Sequence, residues 1–110
     1  MDETIDSVDD SDFERKVIHS EIPVVLDFYA DWCGPCKQAE SIMNSLSQEY
    51  HGKIFFARVN VDNSESTAES FGVHAIPTFI FLEKGQERGR QVGLLAEGDF
   101  RTVLKKYFLL

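Results

Sequence analysis

The feature that most constrains the fold of this chain is a near-continuous apolar run at residues 24–30. It reads Val-Val-Leu-Asp-Phe-Tyr-Ala, and such β-branched and aromatic residues favour a strand. A strand with one face in water alternates apolar and polar residues, whereas this run offers no polar face. It therefore predicts a strand buried on both faces, with other elements covering each side of the sheet. Asp27 is the one charged residue in the run.

The remaining segments alternate between strand and helix patterns. Ser11-x-x-Glu14 resembles a capping box that opens a short helix, in which Phe13 and Val17 share a face. Apolar residues recur at helical spacing in residues 35–50, and residues 83–86 predict a hairpin turn. The further predicted strands are residues 4–8, 54–61, 78–82 and 88–94, and the further predicted helices are residues 63–71, stopped by Gly72, and a last one from Glu97.

Length and element order together predict the fold class. A chain of 110 residues suits one hydrophobic core, and it contains no repeat or linker, so we expect a single domain over residues 1–110. Strands alternating with helices, followed by a hairpin and a final helix, favour an α/β fold. The expected architecture is a central mixed β-sheet of four to five strands flanked by helices on both faces.

The net charge of −8 comes almost entirely from the N-terminal segment. Seven acidic residues precede the first base, Arg15, and the remaining acids and bases nearly cancel. No basic stripe exists to neutralise phosphates, which argues against nucleic acid or an anionic membrane as a partner. The first residues carry no basic and apolar leader pattern, and no apolar run reaches membrane-spanning length. We therefore expect a cytoplasmic protein.

The two cysteines, Cys33 and Cys36, lie between the apolar run and the helix predicted at residues 35–50. Unpaired N–H groups and the helix dipole stabilise a thiolate where a helix begins, and Cys33 is at that end. Cys36 follows on the apolar stripe of the helix, within reach of any mixed disulfide that Cys33 forms. The pair predicts a redox dithiol.

Two other interpretations of the cysteines are weaker. Zinc needs about four ligands, and the remaining candidates of the usual kind, His19, His51 and His74, show no paired spacing. No metal is therefore expected. A purely structural disulfide would close too small a loop to restrict the unfolded chain much.

Five motifs resemble those of the thioredoxin family, in the family's order and with near-identical spacing over nearly the whole chain. They are Trp32-Cys33-Gly34-Pro35-Cys36-Lys37, Asp27 six residues before Cys33, Val59-Asn60-Val61-Asp62, Ile76-Pro77-Thr78 and Val92-Gly93. The resemblance implies the thioredoxin fold.

The resemblance also implies roles for matching residues. Cys33 corresponds to the exposed nucleophile and Cys36 to the buried resolving cysteine of the redox disulfide. Asp27 corresponds to a buried acid that exchanges a proton with the resolving thiol through water, and Arg58 stands where the family often has a lysine close to that acid. Pro77 corresponds to a cis-proline that faces the disulfide. The implied substrate-docking surface consists of Trp32, Gly34, Pro35, Val61, Ala75, Ile76 and Gly93.

The environment of Asp27 sets an expectation for its titration. A carboxyl inside an apolar strand loses hydration, which raises its pKa, while a neighbouring Arg58 favours the charged form. We expect burial to outweigh the arginine if Arg58 keeps its tip in solvent. Asp27 would then act as a general acid or base near neutral pH.

The function implied by the resemblance is reduction of disulfides in client proteins. No bound cofactor is implied. A thioredoxin reductase would regenerate the dithiol, and the protein would serve electron transport and cell redox homeostasis as a monomer. One alternative is a thiol oxidase or isomerase, which the missing export signal and the Gly34-Pro35 dipeptide disfavour. The other is a non-catalytic binding module or holdase.

Three features depart from the family's usual pattern. Ser41 stands where the family commonly has a proline that kinks the long helix, so the helix is expected to run straighter, or to bend slightly through a bond from the serine to a carbonyl one turn back. Gly89 is less usual, and so are Arg88 and Arg90, which are predicted on one face of the last strand. The two arginines would add local positive charge and tune partner choice.

Overall fold

The computed structural model describes residues 5–109. These residues form five strands, a short π-helical segment and three α-helices. The strands are β1 (Ile5–Val8), β2 (Val24–Tyr29), β3 (Phe55–Asn60), β4 (Thr78–Glu83) and β5 (Gln86–Val92). The π-helical segment is Glu14–Ile18, and the helices are α1 (Gly34–Glu49), α2 (Glu65–Ser70) and α3 (Glu97–Phe108). Every predicted element is present, with shifted ends, although Thr4 of the first predicted strand lies outside the described residues.

The five strands form one mixed sheet in the order β1-β3-β2-β4-β5. β3 pairs in parallel with β1 and β2, whereas β4 is antiparallel to β2 and to β5. β2 therefore lies at the centre of the sheet, where Asp27 is opposite Arg58 of β3 and Phe79 of β4. The predicted mixed sheet is confirmed.

Each face of the sheet has its own hydrophobic cluster. Buried residues of α1 and α3 pack on one face around Val25, Phe79 and Phe81. On the other face, Val17 and Ala68 pack around Leu26 and Phe28 of β2, with Phe71 against them. β2 supplies residues to both clusters, and all of its residues except Tyr29 are buried. This two-sided packing is the physical reason for the apolar run at residues 24–30.

The hairpin between β4 and β5 turns through two residues with positive φ, Lys84 at 54° and Gly85 at 79°. Positive φ at both central residues matches the right-handed twist of the strands it joins. The pairing then shifts by one residue, because Phe81 lies opposite Gly89 while Leu82 lies opposite Glu87. Arg88 is thus the extra residue of a β-bulge.

The bulge separates Arg88 from Arg90, which the sequence placed on one face of the strand. Arg88 approaches Glu83 at 3.9 Å and lies near Tyr107 of α3. Arg90 instead donates to the Phe71 carbonyl at 2.8 Å and to Glu87 at 2.7 and 2.9 Å. The prediction of one shared face was wrong, since strict alternation fails where an extra residue enters a strand.

The N-terminal segment caps a different helix from the one expected. The Ser11 hydroxyl donates to Asp9 at 2.6 Å, and no side chain caps the π-helical segment, so the predicted capping box does not form. Asp10 instead accepts from the Thr67 backbone N–H at 2.9 Å, from the Thr67 hydroxyl at 2.6 Å and from the Ser66 N–H at 3.3 Å. The acidic segment therefore supplies the N-terminal cap of α2 from a distant part of the chain.

Helix α1 is continuous from Gly34 to Glu49 and passes through the exposed Ser41 without interruption. Its inward residues are Cys36, Ala39, Met43, Leu46 and Ser47. Among the residues that the structure describes, no helix combines the length and the apolarity required to cross a membrane.

Candidate active site

Cys33 and Cys36 lie where the chain leaves the carboxyl end of β2 and enters α1. Cys33 is the N-cap residue of the helix, and its sulfur accepts the backbone N–H of Cys36 at 3.2 Å. Pro35 occupies the first turn, where its missing N–H leaves no helical bond unmade. The two sulfurs form a disulfide, with Cα atoms 5.3 Å apart. The sulfur of Cys33 thus lies at the positive end of the helix dipole.

Both cysteines are buried in this disulfide form. The exposed fraction is 5% for Cys33 and 1% for Cys36, so the resemblance misjudged Cys33, which it implied to be exposed. Tyr29, Val61 and Ile76 pack against the pair and Ala30. Any group that reacts with these sulfurs must therefore approach them closely.

Asp27 lies within β2 and is 1% exposed. Its Oδ2 accepts from Nε of Arg58 at 3.3 Å, whereas its Oδ1 has no hydrogen-bond partner among the described residues. Burial raises the pKa of Asp27 to about 6, while the charge of Arg58 and its hydrogen bond act against this rise and the charge of Glu40 adds to it. Asp27 therefore titrates closer to neutral pH than an ordinary aspartate.

Arg58 is more buried than the sequence predicts, since its tip was expected to lie in solvent. Its side chain is only 15% exposed, and its guanidinium lies 3.8 Å from the centre of the Tyr29 ring. A second carboxylate, Glu40 of α1, approaches Nη1 at 3.7 Å. The arginine therefore does not keep its tip in solvent, and burial still outweighs its effect on the pKa of Asp27.

A small cavity of about 90 Å³ is lined by both Arg58 and Cys36. Its volume admits water. The lining residues are Tyr29, Ala30, Asp31, Cys36, Lys37, Glu40 and Arg58. Sequence reasoning missed Glu40 and Tyr29; the signal for Glu40 was its position four residues after Cys36, on the same side of a helix.

A second, mostly apolar groove of about 140 Å³ lies beside the disulfide. Trp32 stands at its edge with 71% of its surface exposed, and its indole N–H donates to Asp62 at 2.9 Å. The lining residues are Trp32, Val61, Val73, His74, Ala75 and Ile76. Four of the seven residues predicted to dock substrates are thus brought together here, whereas Val73 and His74 were not predicted.

The other three predicted docking residues, Gly34, Pro35 and Gly93, do not line this groove. Gly34 and Pro35 are exposed at the start of α1. The Ile76–Pro77 peptide bond is cis, as the resemblance implied, and Gly93 donates its N–H to the Pro77 carbonyl at 2.9 Å. Thr78 donates its hydroxyl to the Ala75 carbonyl at 2.5 Å. These two hydrogen bonds fix the segment of residues 75–77 directly before β4.

The two sulfurs release two electrons when the disulfide forms and take up two electrons when it breaks. The first of them lies at a helix N-terminus, where a thiolate is stabilised. Among the described residues, no group of three or more His, Cys, Asp or Glu side chains is arranged to hold a metal ion. The fold and this site define a thiol-disulfide oxidoreductase.

Comparison with known proteins agrees with this class. The family model named Thioredoxin matches residues 4–106, which is most of the chain. The chain belongs to the thioredoxin family.

Individual relatives match over nearly the same region. The thioredoxin of Haemophilus influenzae is 38% identical over 100 residues, which cover 91% of this chain and 94% of that protein. The thioredoxin of Synechocystis is 36% identical over 100 residues, with the same coverage of 91% and 94%. The chloroplastic M-type thioredoxin of Brassica napus is 40% identical over 103 residues, which cover 94% of this chain and 58% of that protein.

The expected activity is confirmed at the level of the family. The chain is a thioredoxin-type protein-disulfide reductase, and disulfide-containing client proteins are its substrates. The alternatives of an oxidase, an isomerase or a non-catalytic binding module are not favoured, because the family model and the similar proteins are thioredoxins with a matching cysteine motif.

Proposed function

We propose that Cys33 is the nucleophile and Cys36 the resolving cysteine of the reduction. The Cys33 thiolate attacks a client disulfide, forms a mixed disulfide and releases the first client thiolate. The Cys36 thiolate then attacks the Cys33 sulfur, releases the second client thiolate and leaves the Cys33–Cys36 disulfide. Two electrons pass to the client, which takes up two protons. The observation that carries this assignment is the Cys33 sulfur at the N-cap of α1, accepting the Cys36 N–H.

Asp27 moves the proton of the resolving step in this proposal. Cys36 must lose its proton before it attacks, and a carboxylate with a raised pKa is a suitable base near neutral pH. The cavity shared by Cys36 and Arg58 supports a path through water between the thiol and the Asp27–Arg58 pair.

Clients dock in the groove beside the disulfide. An extended client segment would lie along Ala75 and Ile76 and pair with their backbone as an added strand. Trp32, Val61 and Ile76, which line the groove, would contact its apolar side chains. Gly34, Pro35 and Gly93 would add to the contact. The packing of Ile76 against the cysteine pair supports this geometry, because it places the loop beside the sulfurs.

A thioredoxin reductase regenerates the dithiol, and the protein acts as a cytoplasmic monomer in electron transport and redox homeostasis without a bound cofactor. The bacterial relatives support this setting. The chloroplastic relative named above offers a second setting with the same chemistry.

Insulin reduction by dithiothreitol tests the activity. The parent chain should accelerate precipitation of the insulin B chain, and Cys33→Ser should abolish the acceleration. Mild alkylation of the reduced protein then tests the order of the two sulfurs, with modification expected first at Cys33 because Cys36 is the more buried. Preferential labelling of Cys36 would reverse the assigned roles.

A further inference from the structure

One cation at this site, Arg58, forms ion pairs with two carboxylates from different elements. Arg58 of β3 contacts Asp27 of β2 through Nε at 3.3 Å and Glu40 of α1 through Nη1 at 3.7 Å. The Tyr29 ring, 3.8 Å from the guanidinium, limits the positions that the arginine can take. A guanidinium presents its donors in a fixed planar fork, so attraction towards one carboxylate affects its contact with the other.

The two carboxylates occupy unequal environments. The Asp27 side chain is 2% exposed, whereas the Glu40 side chain is 53% exposed. Glu40 also lines the cavity that contains Cys36 and Arg58. It is therefore the solvent-facing member of the group, while Asp27 is the member that depends on Arg58 for compensation of a buried charge.

We propose that Glu40 is a positioning residue that regulates proton exchange at Asp27 by holding the outer end of the Arg58 guanidinium at the cavity. The inference rests on the proposed role of Asp27 in the resolving step. With Glu40 ionised, Arg58 divides its charge between two anions, and Asp27 retains its proton to a higher pH. Without the charge of Glu40, Arg58 interacts with Asp27 alone and favours the ionised form of Asp27.

Other charged and titratable groups face the same cavity. They are Lys37 and Cys36 on α1, Asp31 in the segment before α1, Tyr29 on β2 and Arg58 on β3. Lys37 and Asp31 are exposed and of opposite sign. Glu40 differs from both because it contacts the arginine that contacts Asp27. The charge of Glu40 also contributes to the raised pKa of Asp27.

Glu40→Gln tests the proposal, since it removes the charge and keeps the shape of an exposed side chain. The titration of the Asp27 carboxyl carbon, followed by NMR, should move to lower pH. The ratio of protonated to ionised Asp27 at fixed pH should fall roughly two- to three-fold. This fold-change corresponds to the interaction energy of a partly exposed ion pair. The pH profile of the resolving step should shift in the same direction.

Glu49→Gln is the matched control. Glu49 is also on α1 and also pairs with an arginine, Arg101, at 2.9 Å, but it does not line the cavity. Its loss should leave the titration of Asp27 and the pH profile unchanged.

The Arg58→Lys background tests whether the effect passes through the arginine. A single ammonium cannot hold two carboxylates in a fixed fork, so Glu40→Gln should shift the titration less in this background. An unchanged titration of Asp27 in the Glu40→Gln single variant, or an equal shift in both backgrounds, overturns the proposal. A shifted titration with an unshifted rate profile supports the effect of Glu40 on Asp27 and instead contradicts the role of Asp27 in the resolving step.

Discussion

Asp27 is unfavourable for stability at neutral pH and has a proposed role in proton transfer. It is a nearly fully buried carboxyl with one oxygen unpartnered among the described residues, and Arg58 compensates its charge only in part. An acid with a pKa of about 6 in the folded state, against an ordinary value of 3.8, binds protons more strongly when folded. Stability therefore falls as pH rises from about 4 to 6 and stays lowered above that range.

Replacing this acid should separate the two effects. At pH 8 we expect Asp27→Asn to have a free energy of unfolding up to roughly 3 kcal/mol higher than that of the parent, which is the energy equivalent of the pKa difference. Urea unfolding measures this difference. The gain should shrink towards pH 4, where the parent carboxyl is neutral as well. The same variant should reduce insulin more slowly, chiefly in the resolving step. A variant with parental rates across neutral pH would show that Asp27 moves no proton.

At the scale of elements, β5 and α3 are fitted to each other through Gly89. A Cβ atom at this position would lie 2.2 to 2.7 Å from atoms of the Tyr107 ring. That ring stacks on Phe81 with centroids 5.4 Å apart, and Phe81 is the residue opposite Gly89 on β4. Glycine is present here because the aromatic ring of α3 occupies the space of a side chain.

Gly89→Ala should therefore destabilise the fold by about 1–3 kcal/mol, as overpacking does. Gly98→Ala in α3 is the control, because its Cβ would meet nothing within 4 Å and alanine favours a helix over glycine by up to about 1 kcal/mol. Thermal unfolding should thus shift in opposite directions for the two variants. In a Tyr107→Ala background the penalty of Gly89→Ala should disappear; a penalty that persisted would mean that the ring is not its cause.

The cap of α2 by Asp10 gives a further prediction about an element. The hydrogen bonds from Thr67 hold the pKa of Asp10 below its ordinary value, so its contribution to stability is present above about pH 4 and is lost as pH falls through the folded-state pKa. Asp10→Ala should lower the unfolding temperature at pH 7 and have less effect near pH 3. Glu21→Gln, at an exposed position before β2, should leave the unfolding temperature near that of the parent. Equal losses for Asp10→Ala at both pH values would contradict a cap that depends on charge.

The sequence predicted those features that depend on neighbouring residues or on matching motifs. The buried β2, the cysteine pair at the start of α1 and the raised pKa of Asp27 belong to this group. Features that depend on distant contacts were missed. Asp10 meets Thr67 across 57 residues, Glu40 meets Arg58 only after α1 packs on the sheet, and the bulge at Arg88 depends on pairing with β4. No local pattern encodes such contacts.

On the scale of the whole molecule, the cysteine pair lies at one end of the sheet, directly after the central strand β2. There the groove with Trp32 and the cavity with Arg58 have no lining residue in common. Only two cysteines exist in the chain, so a thiol left free after one reaction step has no other internal partner. A variant without the resolving sulfur should therefore remain attached to its clients.

Client capture from a cell lysate tests this arrangement. Cys36→Ser should accumulate mixed disulfides through Cys33 that dithiothreitol releases, whereas the parent should retain few because Cys36 resolves them. Adding Pro77→Ala should reduce capture if the loop before β4 receives the client. The double variant Cys33→Ser/Cys36→Ser controls for capture without a disulfide. Equal capture by that variant would show that binding does not depend on the sulfur chemistry.

The bulge at Arg88 has a consequence for behaviour at high concentration. β5 is the outermost strand on its side, and an outer strand with regular unpaired backbone groups can template aggregation between copies. Here the bulge twists that edge, and Glu87, Arg88 and Arg90 place charges along it. The opposite edge, β1, has four residues within the part of the chain that the structure describes. In the proposed docking mode the backbone of Ala75 and Ile76 pairs with a client, whereas these features of β1 and β5 are expected to disfavour strand pairing between copies of the chain.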